Sequence, residues 1–564
     1  MASSLALLLS YAWLAIIASC LGQDSQIALG FQSIPKALEW MDCGEIDNHM
    51  LECSEIHVPM DHFSKASGQA FRIPLIRMLG RTASRTDGKH ILLNPGGPGG
   101  SSVDFLKGRG AQLTQIVGED FHLLSFDPRA VGRSKPRGKC YTSDKARADW
   151  FSTNPWDLEC QAGEMYTRAE NIARACEDMM GEQGKFINTP QTAADMNLIL
   201  DAIRQEELYF WGFSYGTTLG QTYAQMYPNR VGRLIIDGVS NLEEWYGLAT
   251  FQEALIDTDR VLSGFFEECV KAGEACPFQP TKGELFTSTT DLQSSFNEFL
   301  HKLDEEPIPI YINVSDYGSI TRRSLISNGI FPALYRPISW PGLARNLNEL
   351  LNGNYTPAYK AYSDDWISLV MRDDSGTLIQ LNDNIKTGKD APLHGIHDIR
   401  NHTSSLPELS SLMSRYTSAG AYNLASWTIP TTHRFHPRYS PDSPPTKTSY
   451  PILVLSTSWD PICPLISAKK AHRSFEGAGF LEQKSYGHST ISMPSLCTAK
   501  YVRQYFSEGK LPEPGTMCGI DSEYFPNPTS LPLVQTKEDQ ELLYSLRLLA
   551  SYDFTIHPSW LHSN

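Results

Sequence analysis

Short apolar runs alternate with helical stretches along this chain, and the alternation stops partway and later resumes. Arg72–Leu79, Lys89–Asn94, His122–Phe126, Leu208–Gly212 and Val231–Asp237 read as strands, each short and apolar, with Gly, Pro or Asp marking several of their ends. Between them, Thr192–Gln205 places Met196, Ile199, Leu200 and Ile203 on one helical face, and Thr217–Tyr227 is a helix stopped by Pro228. Strands alternating with helices predict an α/β fold, a mostly parallel sheet with helices on both faces. From about Ser240 to Tyr450 the pattern gives way to mainly helical segments such as Leu248–Lys271 and Gly342–Leu351. It ends at the linker-like run Pro441–Pro445. Pro451–Ser456 as a strand, Ile466–Phe475 as a helix and Phe480–Ser485 as a last strand then complete the sheet, and an amphipathic helix follows over Glu538–Ala550. The expected organisation is a core in two parts, 23–240 and 446–564, interrupted by a large mainly helical cap insertion, 241–445. A chain of 564 residues exceeds what one hydrophobic core usually fills, which suits such an insertion.

The turn Gly212-Phe-Ser-Tyr-Gly216 lies between the strand from Leu208 and the helix from Thr217. The pentapeptide alone is common by chance. In a strand–turn–helix setting it has the form of a nucleophile elbow, which lifts a serine clear of the sheet in the α/β-hydrolase fold. Ser214 is therefore the candidate nucleophile. A serine hydroxyl attacks only when a base takes its proton, so a histidine and an orienting carboxylate must follow. In this fold the order is Ser, Asp or Glu, His. Asp460 follows the strand Pro451–Ser456 and His488 follows the strand ending near Ser485, with one helix between them. His472 competes locally but falls in mid-helix. An oxyanion needs two backbone N–H groups. One is expected from Tyr215, and the other from Gly97 in the loop Pro95-Gly-Gly-Pro-Gly-Gly100. No Lys-Ser/Thr follows that loop, which argues against a phosphate cradle.

Asn94–Ser101, Asp127-Pro-Arg-Ala-Val-Gly-Arg-Ser134, Gly212–Gly216 and Gly487-His-Ser489 together resemble the proline iminopeptidase and tripeptidyl aminopeptidase family of serine peptidases. The likeness covers nearly the whole chain after its first residues. Cys497 and Leu511–Cys518 are similar to that family's C-terminal domain. The resemblance implies release of residues or short peptides from free amino termini beneath a helical cap, with Ser214, Asp460 and His488 matching the triad and Gly97 and Tyr215 the oxyanion donors. Two positions depart from the pattern. Pro95 stands where iminopeptidases usually have His, which favours the tripeptidyl aminopeptidase branch, and Ala130 replaces a common Gly. Related proteins also act on esters or small molecules, so a peptide and a small-molecule ester or amide both stay open as substrate. An exopeptidase must pair the substrate ammonium with acidic groups, for which Glu243 and Glu244 are candidates; a solvated helix start accounts for them equally well. Trp245 and Tyr246 are candidates for an apolar pocket. Acyl transfer of this kind requires no metal or organic cofactor, and His394-x-x-His397 and His433-x-x-His436 lack a third ligand at a believable spacing.

Leu5–Ala18 is an almost unbroken apolar run followed by small residues, as in a secretory signal cleaved after Cys20 or Gly22. No Lys or Arg precedes it, and an uncleaved anchor is the alternative. No comparable run lies downstream, so no stable membrane association is expected after cleavage. Of the 11 cysteines, Cys20 falls in the signal. Cys43 with Cys53, Cys269 with Cys276, and Cys497 with Cys518 are pairs close in sequence, as an oxidising compartment permits. The pairing of Cys140, Cys160, Cys176 and Cys463 is open. Asn313, Asn354 and Asn401 are glycosylation acceptor sites that agree with secretion. A net charge of −15 argues against a nucleic-acid partner, which requires a basic face.

Overall fold

The computed structural model describes residues 38–64, 68–152, 161–247, 252–278, 288–363, 373–384, 393, 395–430, 432–438, 444–526 and 536–551. The expected signal segment, with Cys20, lies outside the described residues, as do Cys160 and His394.

Ten strands form one sheet in the order β1-β2-β3-β5-β4-β6-β7-β10-β11-β12. They are β1 (Met41–Ile46), β2 (His49–Pro59), β3 (Ala70–Met78), β4 (Lys89–Asn94), β5 (Phe121–Phe126), β6 (Leu208–Phe213), β7 (Val231–Asp237), β10 (Leu453–Trp459), β11 (Gly479–Tyr486) and β12 (Met517–Cys518). The first pairings, up to β3 with β5, are antiparallel. From β5 onward every pairing is parallel. The central strands are buried almost without interruption, as parallel strands covered on both faces must be. Side-chain alternation divides them cleanly. Leu92, Phe210, Leu234 and Val454 pack on one face with the helices Thr189–Ala202 and Tyr215–Met226. Ile91, Leu93, Trp211, Ile235 and Leu455 pack on the other with Ser102–Val117, Leu496–Glu508 and Lys537–Ser551.

β7 and β10 are hydrogen-bonded neighbours, Leu453 opposite Ile235 and Leu455 opposite Asp237. The chain therefore leaves the sheet after β7 and returns beside the same strand. What lies between is mainly helical and has its own core, including Phe265, Phe266, Phe296, Trp340 and Leu347, closed by Tyr486, Tyr524 and Phe525. It also holds a hairpin, β8 (Ile308–Asn313) with β9 (Asp316–Ile320), which the periodicity did not suggest. The helix expected over Leu248–Lys271 runs over Thr258–Ala272. β11, expected as the last strand, is followed by the two-residue β12 at the edge. β1 and β2 were not expected either: β1 is largely exposed, so its residues lack the apolar alternation that betrays a strand.

The run Asp127–Ser134 locks the core together. Asp127 accepts hydrogen bonds from Ser101 Oγ (2.7 Å), Val103 N (3.1 Å) and Arg133 N (2.9 Å). Ser101 in turn caps the helix that follows the Gly-rich loop. Arg129, fully buried, pairs with Asp195 and donates to the carbonyls of Pro59, Met60 and Phe186. Ala130 has φ of 70°, the left-handed region that favours the Gly usual in the resembling family.

Among the described residues four disulfides are present: Cys43–Cys53, Cys269–Cys276, Cys497–Cys518 and Cys140–Cys176. Cys463 is a buried free thiol. Among the described residues, no helix is long and apolar enough to cross a membrane.

Candidate active site

β6 delivers Ser214 into the turn with φ of 55° and ψ of −124°, a conformation that costs a non-glycine residue on the order of 1–3 kcal/mol. The surroundings hold it there. Ser214 N donates to Asp237 O (3.2 Å), and Ser214 O accepts from Thr217 N (2.8 Å) and Thr217 Oγ1 (2.6 Å). A Cβ at Gly216 would stand 2.6 Å from Asn94 O, and one at Gly96 would stand 2.7 Å from Ser214 Cβ. The glycines are thus required by the close approach of the elbow to the loop after β4.

Asp460 and His488 follow the C-terminal ends of β10 and β11, the side of a parallel sheet where catalytic groups gather. His488 Nδ1 lies 3.0 and 2.9 Å from the two Asp460 carboxylate oxygens. Oδ1 also accepts from Ile462 N (3.0 Å) and Cys463 N (2.8 Å), and Oδ2 from Ser489 N (3.0 Å). An ionised carboxylate only accepts, so Nδ1 carries the imidazole proton and Nε2 keeps its lone pair. His488 N donates to Tyr335 O (3.0 Å), and the Tyr335 ring meets the imidazole edge-on at 4.7 Å.

Sequence reasoning missed three residues here. Asp237, the last residue of β7, is fully buried and accepts from Thr490 N (2.7 Å) and Thr490 Oγ1 (2.6 Å), while its carbonyl accepts from Ser489 Oγ (3.2 Å). Burial pushes its carboxyl up to about 6, against the Thr490 hydrogen bonds and the nearby His488. A carboxylate at the end of a buried strand was the available signal. Cys463 lines the same cavity as Ser214, its thiol within hydrogen-bond reach of Ser240 Oγ (3.7 Å); burial and then the charge of Asp460 push that thiol well above its ordinary value. Tyr335 comes from the insertion and carried no motif. No hydrogen bond joins Ser214 Oγ to His488, a contact that often closes only in the substrate complex.

A cavity of about 340 Å³ opens over Ser214, with Gly97, Tyr215, Glu244, Trp245 and Tyr335 in its lining and Met413 and Thr417 from the insertion. Glu244 is half-buried, and burial raises its carboxyl above the usual range although Glu253 N donates to it (2.9 Å). Among the described residues it has no Lys or Arg partner; the adjacent Glu253 is satisfied by Lys470 and by Ser467 (2.6 Å). Glu243 is exposed and not part of the lining, and Tyr246 packs beneath it, bonding Thr222 (2.8 Å). Asn313, Asn354 and Asn401 are all exposed. His397 lies on a helix and His433 stacks on Phe63 at 3.7 Å. Among the described residues the one group with metal-like spacing is Asp460, Cys463 and His488, within 4.8 Å, and two of these are already bonded to each other.

Two family models match parts of the chain. Residues 89–272 match the alpha/beta hydrolase fold model, and residues 411–518 match the model described as TAP-like protein. Serine protease Hip1 of Mycobacterium tuberculosis is 26% identical over 479 residues, covering 83% of this chain and 87% of that one. Tripeptidyl aminopeptidase of Streptomyces lividans is 30% identical over 240 residues, 41% of this chain and 43% of that one. Carboxylesterase B of Mycobacterium tuberculosis is 26% identical over 503 residues, 85% of this chain and 89% of that one. The chain is a serine hydrolase of the α/β-hydrolase fold. Within that class it resembles the tripeptidyl aminopeptidase branch of serine peptidases and carries that branch's C-terminal TAP-like region.

Proposed function

We propose that this protein is an exported aminopeptidase that releases short peptides from free amino termini through an acyl-enzyme. His488 Nε2 takes the Ser214 proton as the hydroxyl attacks the carbonyl carbon. The N–H groups of Gly97 and Tyr215 receive the oxyanion, and Asp460 holds the imidazole in the tautomer this requires. His488 then protonates the departing amine, and water enters to release the acyl group. Residues 241–445 are the cap that limits what reaches Ser214, between the core segments 23–240 and 446–564. The apolar start of the chain is a signal removed near residues 20–22, and Asn313, Asn354 and Asn401 carry glycans. The disulfides and the secretory pattern support that location.

One observation carries the peptidase reading: among the described residues Glu244 has no cationic partner, and it lies in the same cavity as Ser214. A substrate ammonium is the charge that site lacks. The likeness to carboxylesterase B, with the Trp245 and Tyr335 walls, favours an ester hydrolase as the second reading. Tripeptide anilides with free and acetylated amino termini, assayed beside aryl esters, separate the two. The expected result is turnover of the free anilides alone among the peptides, with KM raised at least about tenfold in Glu244→Gln, the size of one lost charged hydrogen bond. Ester turnover should be little changed by that substitution. Turnover confined to esters, or equal use of blocked anilides, would overturn the aminopeptidase assignment.

A further inference from the structure

Three donors converge on the carboxylate of Asp383, the last residue of the helix Ser375–Asp383 in the insertion. Thr189 N donates to Oδ1 (2.7 Å), while the Thr189 hydroxyl and Trp245 Nε1 (2.8 Å) donate to Oδ2. Asp383 is 3% exposed, and among the described residues no Lys, Arg or His pairs with it. Holding the helix in place does not require this charge. Asn382 already donates to the carbonyls of Gly184 (2.8 Å) and Ile187 (2.9 Å) and accepts from Trp427 Nε1 (2.9 Å). What the carboxylate adds is two acceptor oxygens and no hydrogen. An amide would turn its NH₂ against Thr189 N–H, or against the Thr189 hydroxyl and the Trp245 indole.

The direction of the next bond follows. With its hydrogen committed to Asp383, Thr189 Oγ1 must accept from the Tyr215 phenol, 2.6 Å away. Tyr215 immediately follows Ser214, and its ring lies 5.3 Å from that of Trp245, so both partners of this network line the Ser214 cavity. We propose that Asp383 is a positioning residue for acyl transfer: through Thr189 and Trp245 it holds the Tyr215 peptide N–H and the cavity wall in their working places. The proposal rests on the serine-hydrolase reading, with Tyr215 as an oxyanion donor. It makes the insertion part of the catalytic framework as well as a cover. Burial pushes the Asp383 carboxyl up to about 7 against its hydrogen bonds to Thr189 and Trp245. Once protonated, it donates instead, the natural recipient being Thr189 Oγ1, and the bond to Tyr215 reverses. The titratable groups that feel its charge are the phenols of Tyr215 and Tyr246, both buried, neutral and raised well above their ordinary value.

The test measures kcat/KM against pH on an aryl ester for the parent protein, Asp383→Asn, Thr189→Val and Thr189→Ser, alongside thermal unfolding. Thr189→Ser keeps the hydroxyl and should stay within about threefold of the parent, the ordinary spread for a retained hydrogen bond. Asp383→Asn and Thr189→Val should each lose roughly 10- to 100-fold, less than the 10²–10³ of removing an oxyanion donor outright. On the acid side the slope of log kcat/KM should approach 2 in the parent, where His488 and Asp383 must both be deprotonated, and about 1 in Asp383→Asn. Parent-like rates in Thr189→Val with an unchanged acid slope in Asp383→Asn would overturn the proposal. So would an Asp383→Asn loss traced to lost cooperative unfolding while Thr189→Val stays at the parent rate. A parent protein without Ser214-dependent turnover would overturn the underlying reading, an outcome separate from any ranking of the variants.

Discussion

Replacing Asp460 with Asn tests the geometry most directly, because the change is isosteric and its consequences can be worked out atom by atom. Oδ1 serves Ile462 N and Cys463 N, and Oδ2 serves Ser489 N, with His488 Nδ1 within reach of both. An amide has one oxygen. It keeps the larger set of bonds by leaving that oxygen toward Ile462 and Cys463, which turns its NH₂ toward His488 and Ser489. Nδ1 must then accept, so the proton moves to Nε2, and the imidazole can no longer take a proton from Ser214. The same tautomer error in a serine-protease triad lowers kcat by about 10⁴-fold, or about 5 kcal/mol of barrier. Ser489 N–H loses its acceptor as well, at about 1–3 kcal/mol of stability. Steady-state turnover of an aryl ester near pH 7.5, with thermal unfolding on the same preparation, reads both effects. A loss below tenfold in a folded variant would refute the assignment of Asp460. Asp237→Asn is the control, because Asp237 is the other carboxylate beside the His488 loop. If Asp237→Asn proved the more damaging of the two, the orienting role would belong to Asp237.

Two further predictions concern stability. Arg129→Met leaves Asp195 buried with His62 (2.7 Å) as its one remaining side-chain partner among the described residues and removes the donor from three carbonyls, so urea unfolding should show a loss of about 3–5 kcal/mol; a change under 1 kcal/mol would contradict the buried pair. Burial raises Asp237 and Asp257 to about 6 and Asp383 to about 7. A carboxyl raised on folding binds its proton more tightly in the native state. Its contribution is complete below the unfolded value of 3.8 and is lost as pH rises through 6 to 7, on the order of 3 kcal/mol for a two-unit shift. The lowered carboxyls of Glu52, Glu119 and Asp195 act in the opposite sense at acid pH. Tm should therefore fall between pH 5 and pH 8, and Asp383→Asn should flatten the upper part of that fall; a Tm that rises across the window would refute the linkage.

The candidate triad was readable because local rules and fold rules coincide in it. A serine between a buried strand and a helix, held by two glycines, and a carboxylate and a histidine after the next two strands, leave few alternatives within a parallel sheet. The strands that were found are buried on both faces and so read as apolar runs. β1 and β12 were invisible because one is largely exposed and the other is two residues long. Asp237 and Asp383 could not be singled out for a different reason. Each is an ordinary Asp at the end of an element, and its meaning comes from donors more than 130 residues away in sequence.

The amino-acid order alone pointed to the class of chemistry, the candidate nucleophile and the break in the sheet, because strand period, turn sterics and element order are local or nearest-neighbour properties. Tertiary structure decided the rest. It paired Cys140 with Cys176, left Cys463 a thiol beside Ser214, and put Glu244 rather than Glu243 in the cavity. It also linked a carboxylate of the insertion to Tyr215 through Thr189. Each of these depends on which side chains share a buried volume after the chain has left the sheet and returned, and no periodicity along the chain encodes that.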